Sequence, residues 1–90
     1  MVTVKQAVTR ATKFVEDILA GEELMNPRLE EVDSSENGDL WYVTLSFLRK
    51  EAATSLPDAI RGREYQREYK VITVRASDGE ALSMKMRQPV

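Results

Sequence analysis

The sequence predicts an α+β domain, one N-terminal helix packed on a four-stranded antiparallel β-meander, and three observations carry that prediction. Apolar residues between Val4 and Leu19 recur at three- and four-residue spacing, the period of a helix with one buried stripe. From Leu40 to Leu48 the period changes to two, with Trp41, Val43, Leu45 and Phe47 alternating with Tyr42, Thr44 and Ser46. Near the C-terminus, Ser77-Asp78-Gly79-Glu80 stands between two further alternating runs, and Asp-Gly in that setting is among the strongest short-range hairpin signals.

The helix is expected from Val4 to Ala20. Val4, Ala7, Val8, Ala11, Phe14, Val15, Ile18 and Leu19 form its stripe, while Lys5, Arg10, Lys13, Glu16 and Asp17 lie off it. Thr3 and Gln6 have capping-box spacing, and Gly21 stands where a left-handed residue ends a helix. The charges run against the macrodipole, with Lys5 near the start and Glu16 and Asp17 near the end, so packing rather than electrostatics must hold this helix.

After a linker, Glu22 to Pro27, the first strand is expected over Arg28 to Asp33, followed by a polar turn centred on Asn37-Gly38. The second strand spans Leu40 to Leu48 with its odd positions buried. The third, Tyr69 to Arg75, and the fourth, Leu82 to Arg87, form the closing hairpin, with Ile72, Val74, Leu82, Met84 and Met86 expected inward. Between the second and third strands lies Arg49 to Arg63, where Pro57 can open a short helical turn through Ala59 and Ile60. It is longer than a hairpin needs, and long loops are where function tends to sit.

Composition bounds the chemistry. The 90 residues, 42% of them hydrophobic, make one domain, residues 1–90, with room for a single core. There is no cysteine and no histidine, which removes disulfides, thiolate nucleophiles, imidazole acid–base work and nearly every zinc site. The serines have no histidine to activate them, and the four glycines are isolated, so no phosphate-cradling loop forms. Carboxylates are the only strong metal ligands left. The oxygen-rich stretch Asp33 to Asp39 fits no complete calcium loop and reads as a solvated turn. No catalytic residue, metal or cofactor is expected.

Met1 to Gln6 lacks the apolar run of a secretory signal, and no segment approaches the roughly 20 apolar residues that cross a bilayer; the expected location is cytoplasmic, with no membrane partner. Net charge is −2 over the whole chain, but residues 1–48 carry four basic and nine acidic side chains and residues 49–90 carry nine and six. That asymmetry supports either two differently solvated surfaces or a basic patch.

In order and spacing, the N-terminal helix, the strand pair turning at Asn37-Gly38, Trp41-Tyr42-Val43-Thr44-Leu45, Tyr69-Lys70-Val71-Ile72-Thr73-Val74 and Ser77-Asp78-Gly79-Glu80-Ala81-Leu82 resemble a PepSY-type domain within the broader cystatin-like class. The resemblance implies a small non-catalytic module that contacts another protein, as in the propeptides of thermolysin-like peptidases. It supplies no catalytic residue to carry over. The loop from Arg49 to Arg63 departs from the pattern, as does the lack of an attached peptidase.

Two binding surfaces emerge from the residues. If Trp41, Ile72 and Met84 point toward the helix, then Tyr42, Thr44, Ser46, Tyr69, Val71, Thr73, Ala81 and Ser83 share the opposite face, weakly charged for a face left in water. With Leu56 and Ile60 of the loop, Tyr42, Thr44, Tyr69, Val71 and Thr73 are the candidate contacts for a partner protein or a second copy in a homodimer. The alternative is a nucleic-acid surface on Arg61, Arg63, Tyr65 and Arg67, in which alternate arginines meet phosphates and tyrosines stack on bases. Glu64, Glu68 and Glu80 interleave with those cations, and a neutralised strand ladder is the simpler arrangement.

Overall fold

The structure, a computed structural model, describes residues 1–50 and 65–87, with the backbone alone described at 49, 50, 65 and 66. Among the described residues there are one helix, α1 (Val4–Ile18), and four strands, β1 (Leu24–Ser34), β2 (Leu40–Lys50), β3 (Tyr65–Arg75) and β4 (Ala81–Met86). The strands form one antiparallel sheet in sequence order, so the α+β meander is the fold.

Helix α1 begins as its sequence dictates. The Thr3 hydroxyl accepts from the Gln6 amide at 3.1 Å, and the Thr3 amide donates back to Gln6 Oε1 at 2.8 Å. The helix ends two residues before the expected Ala20, with Leu19 as C-cap and Gly21 at φ 91 in the left-handed region beyond it. Ala7, Ala11 and Val15 are buried against Val43, Leu45, Phe47, Ile72 and Val74. Alanine at the two central positions lets the helix backbone approach the sheet closely, and the large strand residues fill the seam.

β1 is longer than expected, starting at Leu24 rather than Arg28, because two irregularities let an unpromising sequence remain paired. Between Met25 and Arg28 the ladder gains one residue on the β1 side, where Asn26 has φ 51 and is followed by Pro27, which has no amide to donate. A second extra residue, Glu30, falls between Leu29 and Glu31. It allows Leu29, opposite Leu45, and Val32, opposite Val43, to share the helix side. Uninterrupted alternation would have sent one of them to the other face.

A third bulge corrects the inward set expected of β4. Thr73 pairs with Ser83 and Val74 with Ala81, so Leu82 is the extra residue. Ala81, expected on the outer face, instead packs on the core with Met84. Leu82, expected inside, is 45% exposed. Met86 is 69% exposed, because it stands on the edge strand β4, in the row of Lys70 and Leu45 but lateral to the helix.

The start of the chain is tied to the last turn. The Val2 amide donates to the Ala76 carbonyl at 2.7 Å, and Gly79, at φ 78, turns beneath Val2 and Arg10. A Cβ at Gly79 would stand 3.0 Å from Val2 Cγ1, while one at Gly38, also at φ 78, would meet nothing within 4 Å. Gly38→Ala should therefore cost about 1–2 kcal/mol, the left-handed backbone penalty alone, and Gly79→Ala more. Urea titration of the two variants checks the order. Trp41 packs on the core with its Nε1–H buried and without a hydrogen-bond partner among the described residues. Trp41→Phe removes that orphaned donor, offsetting part of the lost packing, so it should cost less than about 1.5 kcal/mol, while Trp41→Ala should cost about 3–5.

Candidate functional site

Among the described residues no second layer covers the face of the sheet turned away from α1, and its register makes a grid. One row across it reads Asp33, Tyr42, Thr73, Ser83; the next, Glu31, Thr44, Val71, Lys85; the third, Arg28, Ser46, Tyr69 and Arg87. Charged side chains stand mostly at the two margins and uncharged ones in the middle, as alternation along β2 and β3 requires.

Two arginines reach inward from this pattern and cover part of the middle. Arg67 on β3 donates to the Ser46 hydroxyl at 2.8 Å and to the Asn26 carbonyl at 3.3 Å, and Ser46 in turn donates to Glu30. Arg87, just beyond β4, extends across β3 to donate to Glu31 Oε1 at 2.8 Å and to Thr44 Oγ1 at 3.5 Å. The result is that Ser46 is 0% and Thr44 3% exposed although neither faces the core. Arginine stems do here what a second layer of apolar residues does elsewhere, while their guanidinium groups stay paired.

This arrangement alters the candidate surface. Thr44, expected as a partner contact, is sealed beneath Arg87; Tyr42, Tyr69, Val71, Thr73 and Ser83 remain partly accessible around it. The face is less weakly charged than its strand alternation suggests, because Glu30, Glu31, Arg67 and Arg87 close over it. Bulge placement and side-chain reach decide that, and neither is set by period-two patterning. Leu56, Ile60, Arg61 and Arg63 lie outside the described residues, as does the side chain of Tyr65.

Besides Arg67, the described cations of β3 are engaged by carboxylates. Arg75 pairs with Asp78 at 3.5 Å and Glu80 at 3.0 Å, and Lys70 with Glu68 at 3.7 Å. The turn from Ser34 to Asp39 is organised by its own side chains: Asn37 Oδ1 accepts from Ser35 Oγ and the Asp39 amide, and Ser35 Oγ accepts from the Leu40 amide. Among the described residues no three carboxylates stand close enough to share a metal ion, and no helix is long and apolar enough to cross a membrane.

On the helix side, an apolar groove of about 490 Å³ runs between α1 and β1. Val8, Val15 and Leu19 form one wall, Leu24 and Leu29 the other, and Leu45 and Phe47 the floor. Leu29 is 51% exposed there. Sequence periodicity places Val8, Val15, Leu19, Leu45 and Phe47 on inner faces but does not show that Val8 and Leu19 stay half-buried beside an exposed Leu29. Comparison with protein-family models, with curated proteins and with solved structures finds no match to this chain.

The two arginines should differ in their contribution to stability. Arg67→Ala uncovers Ser46 and removes the guanidinium donor from its hydroxyl oxygen, while Glu30 keeps Arg28, an expected loss of about 1–3 kcal/mol. Arg87→Ala breaks a pair whose side chains are 42% and 58% exposed, which should cost under about 1 kcal/mol and less still in high salt. Denaturant titration at two salt concentrations separates them.

Proposed function

We propose that this chain is a small non-enzymatic module that binds another protein or a second copy of itself, with regulatory, inhibitory or immunity-like action. The observation that carries the reading is the single-layer sheet face: Tyr42, Thr73 and Ser83 lie in one row with Val71 and Tyr69 beside it, an uncharged, partly exposed block framed by intramolecular ion pairs. Such a frame restricts the approach of other surfaces while leaving Tyr and Val to bury area in a partner, the composition favoured at interface centres. The PepSY-type resemblance supports the same class of function, and a cytoplasmic setting belongs to the same proposal.

Protein is the better-supported partner than nucleic acid. A polyanion surface needs cations that can exchange their counterions for phosphates. Arg67 and Arg75 are instead tied to the protein's own oxygens, and each contact would have to break first.

Tyr42→Lys combined with Thr73→Lys sets two charges in the middle of the block while leaving the helix-side core untouched. Association, measured by sedimentation velocity for self-association or by pull-down for a partner, should fall by more than about tenfold, with the circular dichroism spectrum unchanged. Undiminished association with the doubly substituted chain would refute this surface.

A further inference from the structure

On the helix side of the sheet we infer a second site: the groove between α1 and β1 is a seat for an amphipathic helix of a partner protein, apolar on the buried face and basic on one flank. Four strands spaced about 4.8 Å apart make a face about 19 Å wide, and a helix with its side chains is about 10 Å across. Among the described residues, one helix therefore covers the β1 margin of that face incompletely, and the groove lies there, with the half-buried Leu24 and the exposed Leu29 on its β1 side and the buried Leu45 and Phe47 beneath.

The walls set the occupant's backbone conformation. They are side chains of Val8, Val15, Leu19, Leu24 and Leu29, which have no hydrogen bonds to give an extended peptide. The adjoining sheet edge offers little more, since β1 is interrupted by Asn26-Pro27 and by the bulge at Glu30. A segment that buries itself there must satisfy its own amides, and a helix does.

The rim sets the occupant's charge. Glu16 lines the groove in the last turn of α1, a turn with no basic residue, so the carboxylate adds to the negative end of the helix dipole. Arg28, the cation on the opposite rim, already pairs with Glu30 at 3.5 Å. A lysine or arginine flanking the incoming apolar face meets Glu16 and the α1 C-terminus; an acidic flank is repelled there.

The test uses the full chain and two synthetic helical peptides with the same leucine face, one flanked by lysine and one by glutamate, titrated into ¹⁵N-labelled protein. The lysine peptide should shift the amides of Val8, Leu19 and Leu29 and become helical when bound. Leu29→Lys should weaken it by more than about tenfold, the scale of losing an interface anchor. Glu16→Lys should weaken it about fivefold, the scale of one exposed ion pair, and should improve binding of the glutamate peptide. Both positions are exposed, so the variants should retain the fold, and Tyr42→Lys should bind the peptide normally, which separates this site from the open face. No shift at the groove with the lysine peptide, equal binding of both peptides, or an extended bound conformation would overturn the inference. So would a dimer that forms without peptide and is lost on Leu29→Lys, since the occupant would then be a second copy.

Discussion

Among the described residues, one helix of 15 residues is the only layer packed on a sheet of four strands, and most of the remaining described structure is an answer to that shortage. The seam itself is well made: Ala7 and Ala11 bring the helix backbone close, and Val43, Ile72 and Val74 are fully buried beneath it. Burial of these side chains supplies the main apolar driving force, and it is concentrated on β2 and β3. Everything lateral to that seam is covered by other means or left partly open.

The far face shows the first of those means. Arg67 and Arg87 lie across β2 and β3, Arg67 donating to Ser46 and the Asn26 carbonyl and Arg87 to Glu31 and Thr44, replacing an apolar layer with long, hydrogen-bonded polar side chains. This keeps Ser46 and Thr44 dry without removing solvent from Tyr42 and Thr73. The near face shows the second. There the shortage is not compensated among the described residues, and a groove floored by Leu45 and Phe47 remains beside β1. The bulges of β1 and β4 keep both sheet edges irregular.

Much of this fold is readable from the sequence because it depends on local rules. The Thr3–Gln6 capping box, the Gly79 turn, the four-strand order and the buried odd positions of β2 are all set by spacing and turn chemistry. The departures also have a local cause. Each bulge inserts one residue and so reverses the facing of the strand positions beyond it, which is why Ala81 and Leu82 exchange their expected sides. Asn26-Pro27 reads as a break and predicts a short β1, yet an edge strand tolerates both a left-handed residue and a missing donor. The arginine cover depends on pairings as remote in sequence as Glu31 with Arg87, which no periodicity reveals.

Hydroxyl-radical footprinting of the intact chain, read side chain by side chain, tests most directly whether one helix leaves the β1 side of the sheet uncovered. Rapid oxidation of Leu29 is expected, with Phe47, Leu45 and Val43 protected in the same molecule. Protection of Leu29 equal to that of Leu45 would mean that the groove is filled in the isolated protein, and would contradict the account.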